Sequence, residues 1–261
     1  MTPVFVNSLP KSGTNLVKDC LEIVGMKHEW HFGARMINQP KWARILNRVR
    51  YAPLKRGYMV GIDMPVEVAS HIVDRRIASL KEDRYITAHV GYTTGILKKV
   101  VDSGVVPILI TRDPRAVVNS FVHYLEQASR HPLFELFQNG THLKNYHRVI
   151  DGVVHKGVHL QPVNVRCQAV MPWINHPSTL HIRFEDLIGP AGGGTLESQQ
   201  HAVRRIVTEV EASDYTAENV AKNIFGRNNN TFRSGQIDAW KEEVPASVRD
   251  ILNEKTRSIR E

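Results

Sequence analysis

The sequence contains only two cysteines among its 261 residues, and it lacks a long uninterrupted apolar segment. Two cysteines exclude a disulfide framework and a zinc site with four cysteine ligands. No apolar run approaches the ~20 residues that a membrane-spanning helix needs. The first residues carry neither a basic stretch nor a long apolar stretch, so we expect no secretory signal peptide. Cys20 and Cys167 lie among apolar neighbours, and we expect buried thiols in a reducing compartment, the cytoplasm.

Aromatic residues are also scarce, at 7%, which disfavours a nucleic-acid surface built from interleaved aromatic and basic side chains. Hydrophobic residues (42%) and charged residues (23%) are close to ordinary globular usage. The 34 Lys and Arg residues outnumber the 26 Asp and Glu residues, which gives a net charge of +8. This excess either serves solubility or indicates an anionic partner, such as a polyphosphate cosubstrate, an acidic glycan or nucleic acid. Charge alone does not choose between them.

Short apolar β-type runs alternate with segments of helical period along the chain. This alternation predicts a single α/β domain over residues 1–261, with a central parallel sheet flanked by helices. The predicted strands lie near residues 4–7, 84–89, 105–111 and 179–184. Three other segments have no clear period. We expect irregular structure with helical pieces over residues 28–56, a His-rich loop over residues 126–162 and a flexible Gly-rich connection over residues 189–194.

The strongest local signal lies between the first predicted strand and the helical period that begins at Thr14. A tight Pro-Lys-Ser-Gly-Thr-Asn turn directs unpaired backbone N–H groups and the positive end of a helix dipole to one point. Gly13 permits close backbone approach, and Lys11 adds a positive charge. Ser12 and Thr14 add hydroxyl donors, which completes an anion-binding loop. An ordinary helix N-cap is the alternative. The loop is not a Walker A motif, because Lys11 precedes the glycine.

A second signal follows the third predicted strand, in the segment Thr-Arg-Asp-Pro-Arg that begins at Thr111. Arg112 lies at the carboxyl end of that strand, where open α/β sheets bind ligands. Ser120 follows eight residues later, one to two turns inside the helix expected after Pro114. Arg112 and Ser120 are therefore candidates to bind one phosphate together. Taken alone, the segment is also explained by ordinary turn chemistry at a strand end.

Together the two segments resemble the sulfotransferase family that uses 3′-phosphoadenosine 5′-phosphosulfate (PAPS). In that family a Pro-Lys-Ser-Gly-Thr-Thr-Trp loop holds the 5′-phosphosulfate, and an Arg-x-Pro…Ser segment holds the 3′-phosphate. Residues 184–187 (Phe-Glu-Asp-Leu) are similar to the family's Tyr-Glu-Asp strand end, and residues 231–241 resemble its C-terminal Phe-Arg-Lys-Gly…Trp-Lys segment. The four motifs occur here in the family's order, between residues 4 and 241.

The resemblance implies a three-layer P-loop-like fold and transfer of a sulfuryl group from PAPS, with adenosine 3′,5′-bisphosphate (PAP) as the product and no metal. It assigns the 5′-phosphosulfate to Lys11, Ser12, Gly13, Thr14 and Asn15. It assigns the 3′-phosphate to Arg112, Ser120, Arg233, Ser234 and Gly235, and a further nucleotide contact to Phe184. The chain departs from the family pattern with Asn15 for a threonine, Phe184 for a tyrosine and Ser234 for a lysine.

Sulfuryl transfer to a hydroxyl group requires a base for the acceptor's proton, and histidine suits this role at neutral pH. Cytosolic members of the family place a histidine at a strand end, in Lys-Thr-His-Leu-Pro. His89 matches it here, and Thr87 stands in place of the lysine. The resemblance thus implies His89 as the base and Lys11 as the cation that stabilises the leaving phosphate. Other members use a glutamate near the first helix, so Glu22 and Glu29 are the alternatives.

The residues alone leave two other functional classes open. One is a P-loop kinase or nucleotide hydrolase, against which the missing Walker lysine counts. The other is a non-enzymatic polyanion-binding module. Under the leading interpretation the acceptor is a small molecule or a glycan that carries a hydroxyl group or, less favoured, an amine. Residues 30–32 and 123–162 are expected to contact it. Nucleic acid is not an expected partner, no membrane span is expected, and the oligomeric state is left open.

Overall fold

The computed structural model describes residues 1–32, 57–225 and 235–260. Its centre is a sheet of five parallel strands, and two short antiparallel hairpins lie outside that sheet. The strands of the described residues are β1 (Val4–Ser8), β2 (Lys27–Phe32), β3 (Gly57–Val60), β4 (Val66–Ala69), β5 (Arg84–Ala88), β6 (Val106–Thr111), β7 (Val153–His155), β8 (Val158–Leu160) and β9 (Leu180–Arg183). The sheet has the order β2-β5-β1-β6-β9, and the hairpins are β3-β4 and β7-β8.

Helices connect the strands and cover the sheet. Those of the described residues are α1 (Thr14–Ile23), α2 (Ser70–Ala78), α3 (Thr94–Asp102), α4 (Pro114–Gln127), α5 (Phe134–Gln138), α6 (His142–Asp151), α7 (Val163–Gln168), α8 (Met171–Ile174), α9 (Phe184–Leu187), α10 (Leu196–Glu209), α11 (Ala217–Ile224), α12 (Ala239–Glu243), α13 (Ala246–Lys255) and α14 (Arg257–Arg260). A short 3₁₀ helix spans Pro190–Gly192.

Two apolar cores lie on opposite faces of the sheet, because successive residues of a strand point to opposite sides. Val4 and Val6 of β1 belong to a cluster with residues of α1, α10 and α11, whereas Phe5 belongs to a second cluster with residues of α3, α4 and α6. All five residues of β1 are buried. This is the burial expected for the central strand of a parallel sheet that is covered on both faces.

The carboxyl ends of the central strands meet at one edge of the sheet. β1 pairs in parallel with β5 and β6 from Val4 onward, so the segments that follow these strands emerge side by side. Those segments contain Lys11, His89 and Arg112. The predicted parallel sheet is confirmed, and all four predicted strands belong to it.

The expectation of irregular structure from residue 28 onward is wrong for its first residues. Lys27–Phe32 form β2, the strand at one edge of the sheet, and residues 33–56 lie outside the described residues. The first three residues of β2 are exposed, because an edge strand has a neighbour on only one side. Its sequence, Lys-His-Glu-Trp-His-Phe, is therefore largely polar and lacks the apolar run that identified the other strands.

The expectation of a loop over residues 126–162 is also wrong, because that segment contains α5, α6 and the β7-β8 hairpin. The inner side of α6 has few apolar residues and includes one amide side chain. Asn145 is buried there because its amide group donates to the carboxylate of Glu126 and to the carbonyl of Phe137, both at 2.8 Å. A buried amide costs little when its hydrogen bonds are made.

The Gly-rich segment 189–194 is an ordered turn instead of the flexible connection that its composition suggested. Residues 236–237 pack on it. The Ile237 N–H donates to the carbonyl of Gly192 at 3.0 Å, and the side-chain Nε2 of Gln236 donates to that of Ala191 at 2.9 Å. A β-carbon on Gly192 would collide with the Ile188 side chain and lie 2.6 Å from the Gly235 carbonyl oxygen. Glycine here permits a close contact between two chain segments.

Replacement of Gly192 by alanine is expected to lower the free energy of unfolding by about 1–3 kcal/mol, the usual cost of overpacking. Gly91→Ala is the matched control, because its β-carbon would lie in ordinary contact, 3.5 Å from the Ala169 β-carbon. Urea unfolding of both variants measures the difference. Equal stabilities for the two variants would contradict the close contact at Gly192.

Candidate active site

The loop after β1 turns sharply at the edge of the sheet and begins α1. Ser12 N–H donates to the Leu9 carbonyl at 3.2 Å, and both Lys11 (φ 72°) and Gly13 (φ 100°) have left-handed backbone conformations. Such a conformation is strained for lysine, and strained backbone of this kind clusters at ligand sites. Gly13 could not be replaced without a clash, because its β-carbon would lie 2.7 Å from Cδ2 of Phe184.

Ser12 gives direct support for an anion-binding role of this loop. It is 0% exposed, and its Oγ has no hydrogen-bond partner among the residues that the structure describes. A buried hydroxyl without a partner costs about 1–3 kcal/mol, so a ligand oxygen that pairs with it is favoured. The N–H groups at the start of α1 lie beside it, and they too favour a negative charge.

Arg112 connects this loop to two distant parts of the chain. Its guanidinium carbon lies 4.0 Å from the ring centroid of Phe184, the first residue of α9. Its nitrogens donate to the carbonyl oxygen of Lys11 at 3.5 Å and to that of Gln236 at 2.9 Å. Lys11 and Arg112 therefore lie on the same side of the sheet, as predicted. Phe184 is only 4% exposed, so it supports the arginine, and its contact with the nucleotide stays a prediction.

The structure describes only some of the other residues predicted at the 3′-phosphate. Gly235 has a positive φ of 63° and directly precedes Gln236, which accepts from Arg112. Ser120 lies in α4 one turn before Tyr124, on the same helix face. The ring of Tyr124 lies 4.8 Å from Nζ of Lys11, so that face is turned towards the loop. Arg233 and Ser234 lie outside the described residues.

The segment that carries Arg112 is held by its own neighbours. Asp113 caps α4 by accepting from the backbone of Arg115 at 2.8 Å, and it forms a 2.6 Å ion pair with the same residue. The Asp113 N–H donates to the Glu185 carboxylate at 2.8 Å. The guanidinium of Arg115 covers the ring of Trp240 at 4.1 Å. Glu185 and Trp240, which belong to the third and fourth sequence motifs, thus position the arginine-containing turn.

His89 follows β5 directly and is fixed by the last residue of β1. Its Nδ1–H donates to the carbonyl oxygen of Ser8 at 2.8 Å, so the other ring nitrogen, Nε2, carries a lone pair when the ring is neutral. The Ser8 hydroxyl lies 3.2 Å from Nδ1 and 2.6 Å from the Thr14 hydroxyl. Because Nδ1 carries its hydrogen, the Ser8 hydroxyl does not donate to it. That hydroxyl can donate to Thr14 instead, which leaves the Thr14 hydrogen for a ligand in the loop.

The surroundings of His89 favour its neutral form. Burial lowers the pKa of His89, and the positive charge of Lys11 acts in the same direction, whereas Asp63 and the Ser8 carbonyl oppose the shift. Asp63 also acts on His131 and Tyr124: burial lowers the pKa of His131 and raises that of Tyr124. Asp63 thus acts on the candidate base and on two residues of the segment 123–162, although no sequence motif identified Asp63 itself.

The alternative bases lie elsewhere. Glu22 accepts a hydrogen bond from the Tyr85 hydroxyl at 2.7 Å, and Glu29 lies 3.7 Å from Arg84. Both partners stand at the amino end of β5, whereas His89 follows its carboxyl end. The two glutamates therefore lie towards the opposite edge of the sheet from the loop that begins α1.

Three further observations concern partners and compartment. Both cysteines are free and buried. Within residues 1–32, 57–225 and 235–260, no group of three or more His, Cys, Asp or Glu side chains is placed to hold a metal ion. Over the same ranges no helix has the length and apolar character that a membrane crossing requires.

Comparison with known proteins agrees with this geometry. The family model described as a sulfotransferase domain matches residues 1–189. A crystal structure of mouse sulfotransferase SULT7A1 with PAP is similar in fold (TM-score 0.57, 15% identity, covering 98% of this chain and 85% of that one). So is retinol dehydratase with androsterone and PAP (TM-score 0.52, 16% identity, 98% and 80%). No curated protein sequence matches the chain.

The pKa of His89 is expected below the ordinary value of about 6.5, because burial and Lys11 disfavour its charged form. Asp63→Asn removes a carboxylate that stabilises the charged ring, so it should lower this pKa further. Asp102→Asn is the control, since Asp102 is exposed on α3 and pairs with Lys98. An NMR titration of the imidazole signals measures all three proteins. A higher pKa in Asp63→Asn would contradict the assigned surroundings.

Proposed function

The chain belongs to the sulfotransferase domain family, and on that premise we propose that it transfers the sulfuryl group of PAPS to a hydroxyl group of a small-molecule or glycan acceptor and releases PAP. The observation that carries the proposal is the meeting of Lys11, Arg112 and His89 at one edge of the sheet. PAP in the structures of the mouse sulfotransferase and of retinol dehydratase supports the same nucleotide here.

The loop after β1 is proposed to bind the 5′-phosphosulfate through Lys11, Ser12, Gly13, Thr14 and Asn15. The buried, unpaired Ser12 hydroxyl and the N–H groups at the start of α1 support this assignment. The chain thus supplies hydrogen-bond donors and a cation at this point, which together favour an anion.

The opposite end of the nucleotide, the 3′-phosphate, is proposed to contact Arg112, Ser120, Arg233, Ser234 and Gly235. The support for Arg112 is its place beside the loop and beside residue 236. Phe184 is proposed to reach the nucleotide only through the edge of its ring, because its face lies under the guanidinium.

The reaction forms one bond and breaks another. The acceptor oxygen attacks sulfur, and the bond between sulfur and the bridging phosphate oxygen breaks. Negative charge gathers on the leaving phosphate, where Lys11 and the loop N–H groups stabilise it. The acceptor loses its proton to Nε2 of His89, which is neutral and oriented by the Ser8 carbonyl. An ordered neutral imidazole is the form that a general base requires.

The acceptor is proposed to enter beside Asp63, whose charge acts on His89 and also on Tyr124 and His131 of the segment predicted to contact the acceptor. A hydroxyl acceptor is favoured over an amine. Retinol dehydratase has been crystallised with androsterone and with retinol, and each of these molecules carries a hydroxyl group on a small-molecule frame. The free, buried cysteines support action in the reducing cytoplasm, and organisation as a single domain stays a prediction.

Arg112→Ala is expected to weaken PAP binding by about tenfold or more, since a charge-assisted contact contributes roughly 1.5–3 kcal/mol. Calorimetric titration with PAP measures the loss. Arg204→Ala is the matched control, because Arg204 is an exposed arginine on α10 that pairs with Glu218 at 3.5 Å. Unchanged affinity in Arg112→Ala would remove this residue from the site.

His89→Asn is expected to lower kcat by about 10²–10⁴, the usual contribution of a general base, and to leave PAP affinity nearly unchanged. The wild-type rate should fall as pH drops through the pKa of His89, which lies below the ordinary histidine value, so activity persists to lower pH than an unperturbed base would allow. His201→Asn, an exposed position on α10, is the control. Near-normal kcat in His89→Asn would place the base elsewhere.

A further inference from the structure

Asn7 is a polar side chain inside a strand that is buried along its whole length. The sequence of β1 is Val-Phe-Val-Asn-Ser, and Asn7 is only 1% exposed. Asparagine is depleted in strands, and a buried amide group is costly unless its hydrogen bonds are made. The partners of this amide therefore show what the residue contributes to the molecule.

The amide group of Asn7 makes two hydrogen bonds to the main chain of one residue, Val90. Its Nδ2 donates to the Val90 carbonyl at 2.9 Å, and its Oδ1 accepts from the Val90 N–H at 3.0 Å. A main-chain N–H only donates and a carbonyl only accepts, so these partners fix the orientation of the amide. Two paired residues of antiparallel strands exchange their bonds in the same way.

This amide pair lies just beyond the point at which β5 leaves β1. The last pair of the β1-β5 ladder joins Asn7 to Ala88, and Val90 forms an antiparallel bridge with Val60. The Asn7 side chain thus extends the contact between the two segments by two residues. It holds the chain that follows β5 against the end of β1.

His89, the proposed base, lies between the end of β5 and the amide pair. Its N–H donates to the Phe32 carbonyl at 3.2 Å, and its carbonyl accepts from the Gly61 N–H at 2.8 Å. The amide pair adds the link to β1 through Val90. The ring of His89 in turn donates from Nδ1 to the carbonyl of Ser8, the last residue of β1. The fit between ring and carbonyl therefore depends on how firmly residues 89–90 are held to this strand.

We propose that Asn7 is a positioning residue for catalysis: its two bonds to Val90 hold the ring of His89 against the Ser8 carbonyl, so that Nδ1 keeps the hydrogen and Nε2 keeps the lone pair. Asn7 acts through His89 and is not itself a catalytic residue. The proposal rests on the proposed function, since it concerns the base of that reaction.

The test reads the tautomer of His89 from the NMR shifts of its two ring nitrogens, in the protein without nucleotide and at a pH where the ring is neutral. Wild type should carry the hydrogen on Nδ1 alone. Asn7→Leu keeps the approximate shape of the side chain and removes both bonds, so it should give a mixture of the two tautomers. With 4-nitrophenol as the acceptor, kcat should fall about 10–100-fold, because a displacement of about 1 Å can cost about 10²-fold in rate. PAP affinity should stay nearly unchanged.

Gln199→Met is the matched control, because Gln199 is another buried amide side chain, on α10, and donates to the Ile188 carbonyl at 3.4 Å. It should lower stability and keep the single tautomer. If Asn7→Leu does not fold, Asn7→Asp replaces it. A carboxylate still accepts from the Val90 N–H but repels the Val90 carbonyl, so this variant should also give a mixture.

A mixture of tautomers in wild type, a single Nδ1–H tautomer in the Asn7 variants, or an equal mixture in Gln199→Met would overturn the inference. Failure of the proposed function is seen separately. It would show as absent binding of PAP or as near-normal kcat in His89→Asn, and neither result depends on the tautomer in the Asn7 variants.

Discussion

The guanidinium group of Arg112 joins three segments that are far apart in the chain. Its flat face covers Phe184 at the start of α9, and its nitrogens donate to the carbonyl oxygens of Lys11 and Gln236. Arginine suits this position because it combines a planar face with several donors in a fixed geometry, which lysine does not. The loop after β1, the end of β9 and the C-terminal segment are therefore held against one another by the same cation that is proposed to bind the nucleotide.

A second connection runs through Ser8, the last residue of β1. Its carbonyl oxygen fixes the orientation of His89, while its hydroxyl contacts Thr14 in the loop. The proposed base and the loop after β1 therefore share one support at the end of a buried central strand. Because all of β1 is buried, this support is rigid, and a proton acceptor held within a few tenths of an ångström is what general-base catalysis requires.

Local sequence patterns predicted the parts of the molecule that are set by local physics. The apolar runs of the central strands and the turn at Lys11 were recognisable because burial on both faces and a tight strand-to-helix turn leave strong signatures. Edge strand β2 was missed because exposure made it polar. α6 was missed because only three of its ten residues, Tyr146, Val149 and Ile150, are buried and apolar or aromatic. Asp63 was missed for another reason: only the tertiary fold brings it close enough to act on His89, and no spacing within the chain reports it.

The most direct test of the account is a crystal structure of the protein with PAP. The account predicts the 5′-phosphate within hydrogen-bond distance of the Ser12 hydroxyl and the N–H groups that begin α1, and the 3′-phosphate against the guanidinium of Arg112. It also predicts that the space beside the 5′-phosphate opens onto Nε2 of His89. PAP bound elsewhere, or bound at this edge with the 5′-phosphate away from the loop after β1, would contradict it.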